Sequence, residues 1–226
     1  MSLWTSFFIA FGALLPLINP LGSALVFQGM VGEAPNSVYR TLARRIAVNN
    51  IIFLAVFELL GAAILNFFGI SLPIVQLTGG IVIGVLGFTV LNEHDAGANS
   101  RDKKKESEML VEESHFEDYE HRVFYPFTFP VTSGPGTLVA LLTVTAHISD
   151  RTLKGNIVAH VGIFLAIVVL SVAVFFCYAF APAITRRIPA STAHGILRVM
   201  AFILMCIGAQ IAWNGLSVLL KGVIHP

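Results

Sequence analysis

The sequence predicts an all-α integral membrane protein with six transmembrane helices, arranged as two inverted three-helix repeats in which helices 1 and 4 are discontinuous. Of the 226 residues, 56% are hydrophobic and only 12% are charged. Soluble domains carry roughly 25% charged residues, so lipid is the expected solvent. In addition, a motif that breaks helices, Pro-x-x-(Asn/Ser)-x-x-Gly-(Ser/Thr), occurs once in each half, beginning at Pro16 and at Pro130.

Six apolar stretches are long enough to cross a bilayer, which takes about 20 residues. They run roughly over 3–30, 46–68, 72–91, 124–145, 156–180 and 197–220. The first and fourth contain the motif, which is the reason to expect both helices to be discontinuous. Gly69 and Pro73 indicate a tight turn between the second and third spans.

Lys and Arg are distributed unequally between the two sides of such a six-span chain. Loops one, three and five hold ten of them, and the opposite side holds three. The positive-inside rule assigns the richer side to the cytoplasm, so both termini are predicted outside. Three spans is an odd number, and the second half must therefore enter the membrane from the opposite face. The predicted units are a first repeat over 1–91, a charged cytoplasmic loop over 92–122 and an inverted repeat over 123–226.

Each motif copy is expected to unwind its helix and start a new one. Pro16 and Pro130 lack an N–H group and clash with the preceding turn. A new helix start exposes N–H groups and a partial positive charge that can hold a carboxylate. The alternative is a plain proline kink with capped backbone. The predicted substrate-binding residues are Asn19, Pro20, Leu21, Gly22 and Ser23 in the first copy and Thr132, Ser133, Gly134, Gly136 and Thr137 in the second.

Glu58 is the only carboxylate within a predicted span. An ionised acid in the membrane is costly unless it is paired, so Glu58 is a candidate for proton coupling; the alternative is a buried, hydrogen-bonded acid without a role. His160 is a proton relay, a core histidine or an interfacial one. Arg198 could bind an anion or pair with Glu58, although snorkelling to the interface is the simpler interpretation. Asn49 and Asn50 are expected near the interface.

Two further sets of residues are interpreted structurally. Gly80, Gly84 and Gly87 have the spacing of close helix packing in membranes. The 92–122 loop holds ten acidic residues, five basic residues and three histidines. Because these show no recognised ligand spacing, the loop is expected to be a solvated linker, and neither a metal nor a cofactor is predicted.

The segment 19–22 (Asn-Pro-Leu-Gly), the segment 127–136 (which begins Phe-Thr-Phe-Pro) and the six-span layout resemble the MarC/SnatA family of bacterial inner-membrane proteins. The likeness covers nearly the whole chain apart from 92–122. It implies a six-helix fold of two inverted halves and, for the characterised branch, cation-coupled transport of small neutral amino acids such as glycine and alanine. It carries over to Asn19, Pro20, Gly22, Ser133, Gly134, Pro135 and Gly136.

The predicted function is secondary transport of a small neutral solute across the bilayer, with H⁺ or Na⁺ as the coupling ion. A net charge of +1 gives no sign of nucleic-acid binding, and the oligomeric state stays open. A channel is the first alternative, although aquaporins pair two Asn-Pro half-helices whereas the second copy here reads Ser-Gly-Pro. An orphan membrane protein with a regulatory role is another. An enzyme is not expected, since the sequence lacks His-Glu-x-x-His, Gly-x-Ser-x-Gly and paired intramembrane aspartates.

Overall fold

A computed structural model describes residues 2–32, 34–92, 122–148, 153–187 and 190–224. Within these ranges every regular element is a helix. The helices are α1 (Leu3–Ile18), α2 (Pro20–Val31), α3 (Asn36–Phe67), α4 (Leu72–Asn92), α5 (Val123–Thr132), α6 (Pro135–Ile148), α7 (Leu153–Ala179), α8 (Ala181–Arg187) and α9 (Ala190–Ile224). Most of α5 consists of wide π-type turns.

The predicted membrane fold is confirmed. Among the described residues, five stretches are long and apolar enough to cross a bilayer, namely Leu3–Val31, Asn36–Phe67, Leu72–Thr89, Lys154–Ala179 and Arg198–Lys221. The pair α5–α6, bent by 64° at its break, makes a sixth if its two helices form one span. Two helices begin earlier than the predicted spans: α3 begins at Asn36 and not near residue 46, and α9 begins at Ala190 and not near residue 197. The basic residues expected in the first loop therefore lie on the first turns of α3.

Helices α3 and α7 are antiparallel neighbours. Two contacts between them, Asn50 with Ser171 and Glu58 with His160, set the register, and Arg40 of α3 contacts Phe180, the residue after α7. The residue number rises along α3 as it falls along α7, so the helices run in opposite directions. At 1.5 Å per residue, successive contacts lie about 12–15 Å apart along α3. Polar or charged contacts therefore occur at three levels along the length of α3.

Helices α4 and α9 pack backbone against backbone. A Cβ atom added to Gly80 would collide with the backbone of Ala212, and one added to Gly208 would collide with the backbone of Gly84. A Cβ atom at Gly87 would likewise meet the backbone of α9. The predicted packing role is confirmed for Gly80 and Gly87, whereas a Cβ atom at Gly84 would meet nothing within 4 Å. The pair rests against the other helices mainly through α6.

Helices at equivalent places in the two halves contact each other, α3 with α7 and α4 with α9. The broken helices make reciprocal contacts, α1 with α6 and α2 with α5. If a two-fold axis relates the halves, each contact between them must have a partner contact in which the halves exchange roles. The contacts described here have this property and therefore support inverted repeats over 1–91 and 123–226. The repeats stay a prediction. Residues 93–121 lie outside the described part of the chain, together with the predicted linker and its histidines.

Candidate functional site

The first break lies at Asn19, which ends α1 and begins α2. Its backbone adopts the left-handed conformation, with φ 41° and ψ 68°, which an asparagine tolerates better than most residues. Its side-chain oxygen accepts a 3.2 Å hydrogen bond from the backbone N–H of Gly22. The Ser23 hydroxyl donates to the Asn19 carbonyl at 2.9 Å. Asn19 therefore caps the new helix, with Pro20 as its first residue.

The second break lies between Thr132 and Pro135, where α5 ends and α6 begins. Ser133 is extended here, with φ −132° and ψ 97°. Within α5, Tyr125 and Phe129 also leave the helical conformation, and each precedes a cis-proline. The Thr132 hydroxyl stabilises these wide turns by donating to the carbonyl of Phe127, five residues earlier, at 2.7 Å.

The two breaks contact each other. A Cβ atom added to Gly136 would lie 3.3 Å from Leu17 Cδ2, at the end of α1, and 2.8 Å from Ile83 Cγ1 of α4. The absence of a side chain at Gly136 thus lets the first turn of α6 approach the first motif copy.

Tyr178 on α7 links the two copies a second time. Its hydroxyl shares a 2.8 Å hydrogen bond with the Thr132 hydroxyl and also interacts with the Ser23 side chain. The Tyr178 ring stacks on Phe27 of α2 with the centroids 4.4 Å apart, which fixes the position of the hydroxyl.

Asn50 on α3 is the centre of a second buried network. Its side-chain oxygen accepts a 2.6 Å hydrogen bond from the Ser133 hydroxyl, and its amide nitrogen donates to the Ser171 hydroxyl at 3.0 Å. All three residues are fully buried. The side-chain oxygen and the side-chain nitrogen of Asn50 are therefore both hydrogen-bonded. Through these two bonds Asn50 joins α3 to the second break and to α7.

The structure brings most of the predicted binding residues into one buried region. The buried members are Pro20, Gly22, Ser23, Thr132, Ser133, Gly136 and Thr137. Asn19 and Gly134 are half-buried, and Leu21 is 38% exposed, so its side chain lies outside this region. Because Thr132 and Ser133 are fully buried, the site is closed in this structure.

Three residues of the site were missed by sequence reasoning: Asn50, Ser171 and Tyr178. Asn50 lies inside the helix bundle with no exposed surface, and its expected depth near the membrane interface stays a prediction. The one sequence feature that could have indicated a site role for Asn50 was its side-chain amide next to an apolar stretch. Tyr178 and Ser171 gave no comparable signal, since single hydroxyl groups are common in membrane helices.

Glu58 pairs through Oε1 with Nδ1 of His160. The Glu58 side chain is 4% exposed and that of His160 is 30% exposed. The pair therefore connects a buried acid to a more accessible imidazole. Arg198, the other partner considered for Glu58, lies exposed on α9. Glu58 lies about 12 Å from Asn50 along α3, away from the two breaks.

Apolar spans, a bent helix pair and a buried polar region define a multi-pass integral membrane protein. A family model described as "MarC family integral membrane protein" matches residues 4–220. The chain belongs to the MarC family, and the resemblance noted in the sequence is confirmed.

Two relatives have the same printed name, "UPF0056 inner membrane protein MarC". The protein from Escherichia coli (strain ATCC 8739) is 29% identical over 211 residues, which is 92% of each chain. The protein from Salmonella paratyphi A is 28% identical over 224 residues, which is 98% of each chain. No solved structure matches the chain significantly.

Proposed function

We propose that this protein is a secondary transporter of a small neutral solute, of the size of glycine or alanine, in the bacterial inner membrane with both termini periplasmic. The observation that carries the proposal is the contact of two helix breaks in a buried polar region, where Leu17 lies next to Gly136. Paired broken helices of this kind form the substrate sites of many secondary transporters.

The chemistry of the two breaks suits a zwitterion. The first turns of α2 and α6 carry the positive ends of helix dipoles, which attract a carboxylate, although the Gly22 N–H is already capped by Asn19. The hydroxyl groups of Thr132 and Ser133, together with the Asn50 amide, can accept hydrogen bonds from an ammonium group. Close packing around Gly136 favours a solute with a very small side chain.

Transport requires this region to open to each side in turn. In the closed arrangement the bond between Tyr178 and Thr132 and the contact between Leu17 and Gly136 hold the copies together. Rocking of one half against the other would separate α1–α2 from α5–α6 and give the solute access. A fully buried centre favours such a carrier over an open channel.

The pair of Glu58 and His160 is the proposed site of proton coupling. It joins α3 of the first half to α7 of the second. A proton that binds the pair changes its charge and therefore its attraction across that interface. Movement of the halves and protonation would then be linked, as coupled transport requires.

Solute counterflow tests the proposal. Proteoliposomes loaded with unlabelled alanine are diluted into labelled glycine, and protein-free liposomes serve as the control. A carrier gives a transient accumulation of label and a rate that saturates with concentration. Flux that rises linearly without counterflow would indicate a channel. A thermal-shift screen against amino acids measures binding independently, because a ligand of the native state raises its apparent stability.

A further inference from the structure

The basic end of α3 forms a pocket that the transport proposal does not use. Two adjoining cavities share Arg44 and Arg45. One, of about 350 Å³, is lined by Arg44, Arg45, Val48, Asn49 and Val123. The other, of about 310 Å³, is lined by Arg40, Thr41, Arg44, Arg45 and Phe175. We call these residues the basic pocket, and each cavity is at the lower end of the range of small-molecule sites, roughly 300–1,000 Å³.

The cationic side of the pocket is preformed by helix geometry. Arg40 and Arg44 are one turn apart on α3 and therefore lie on the same face. The Arg40 guanidinium lies 5.7 Å from the ring centroid of Phe180, a cation–π contact that restricts its position. Arg44 and Arg45 each line both cavities. Guanidinium groups of this kind bind phosphate oxygens in a bidentate manner.

The rest of the lining suits a phosphate that is attached to an organic group. Asn49 supplies an amide N–H₂ group, which can donate hydrogen bonds to phosphate oxygens, whereas the Thr41 hydroxyl donates to the Ser37 carbonyl at 2.9 Å. Val48, Val123 and Phe175 supply apolar surface beside them. No carboxylate lines either cavity among the described residues. Three arginines with this apolar wall favour a bulky anion over a small inorganic cation or a neutral solute.

We propose that the basic pocket binds a phosphate group between α3, α5 and α7. The positive-inside rule predicts the cytoplasmic side for this pocket, where the phosphates of anionic lipids and those of soluble metabolites both occur. The ligand chemistry is the same for either source. This site is separate from the helix breaks and does not depend on the transport proposal.

Native mass spectrometry of the full-length protein in a neutral detergent tests the proposal. Phosphatidylglycerol is titrated against diacylglycerol with identical acyl chains, which lacks the phosphate. In a parallel thermal-shift arm, sodium phosphate is titrated against sodium chloride at equal ionic strength. The variants are Arg44→Gln, Arg44→Lys, which keeps the charge but loses the bidentate group, and the control Arg198→Gln, which removes an exposed arginine from α9.

We expect Arg44→Gln to weaken binding about tenfold, Arg44→Lys to have an intermediate effect and Arg198→Gln to bind like the wild type. Preference for phosphatidylglycerol alone identifies a lipid headgroup as the source. Stabilisation by phosphate alone identifies a soluble anion. The proposal is overturned if neither probe exceeds its control, or if Arg44→Gln and Arg44→Lys both bind like the wild type. Thermal unfolding of each variant without ligand separates loss of binding from loss of folding.

Discussion

Asn50 accepts a 2.6 Å hydrogen bond from the hydroxyl of Ser133, so an α3 side chain holds the extended residue at the second helix break. The same asparagine donates to Ser171 of α7. Ser133 lies in the short break between α5 and α6. The hydrogen bond to Asn50 therefore helps to fix the position of the Ser133 side chain. Asn50 thereby connects the first half of the protein to the candidate site in the second.

Replacing Asn50 by alanine should uncouple the second break from α3. The hydroxyl groups of Ser133 and Ser171 would lose a buried partner, at a cost of about 1–3 kcal/mol. We expect a lower thermal stability in detergent and a large loss of glycine counterflow. Asn49→Ala is the matched control, because Asn49 is the adjacent amide and is not fully buried. Equal activity of the two variants would contradict the role of Asn50.

Tyr178→Phe should separate the linking role of the hydroxyl from the packing role of the ring. The phenylalanine keeps the stack on Phe27 but loses the 2.8 Å bond to Thr132. We expect insertion and expression to be unchanged and the maximal rate of counterflow to fall. Tyr39→Phe, which removes a different buried hydroxyl, bonded to the Gly32 carbonyl at 2.7 Å, should leave transport much less affected. A wild-type rate in Tyr178→Phe would exclude the link from the transport cycle.

Gly136→Leu should abolish transport without preventing membrane insertion. Even a Cβ atom at this position would lie 2.8 Å from Ile83 Cγ1, so a leucine must push α6 away from α1 and α4. The control is Gly12→Leu on α1, where an added Cβ meets nothing within 4 Å. Counterflow and membrane fractionation are compared for the two variants. Wild-type uptake by Gly136→Leu would refute the assignment of this glycine to the site.

The fold and the two breaks were predictable because hydropathy and the prolines act locally along the chain. The networks around Asn50 and Tyr178 were not, because Ser133 lies 83 residues from Asn50 and Thr132 lies 46 residues from Tyr178. These pairings depend on how α3 and α7 each pack against the second break, and that packing is not visible in a single sequence. The early start of α3 was missed because hydropathy detects only the apolar part of a helix.

Gly80→Ala should destabilise the pair α4–α9, whereas Gly84→Ala should not. The added Cβ at Gly80 would collide with the backbone of Ala212 and lie 2.6 Å from the Gly208 carbonyl oxygen. Overpacking of this kind costs about 1–3 kcal/mol. The Cβ at Gly84 meets nothing within 4 Å, and alanine has the higher helix propensity. We expect a lower melting temperature in detergent for Gly80→Ala alone; equal melting temperatures would show that the helices adjust freely.

The pairing of Glu58 with His160 leads to a prediction about energy coupling. Glu58→Gln keeps a hydrogen-bonding group of the same size but cannot ionise. We expect this variant to retain counterflow at equal pH on both sides and to lose the accumulation that a pH gradient drives. If the pair acts as a unit, His160→Gln should have the same effect, and the double variant should be no worse than either single variant.

A matched control separates this pair from general effects of removing a titratable side chain. His147, exposed on α6, is not part of the pair, so His147→Gln should accumulate solute normally in a pH gradient. Proteoliposomes with an imposed pH gradient, with and without a proton ionophore, provide the measurement. If Glu58→Gln kept its full response to the gradient, the carboxylate would have no part in coupling. Loss of counterflow as well would instead place Glu58 in solute binding or in the packing of α3 against α7.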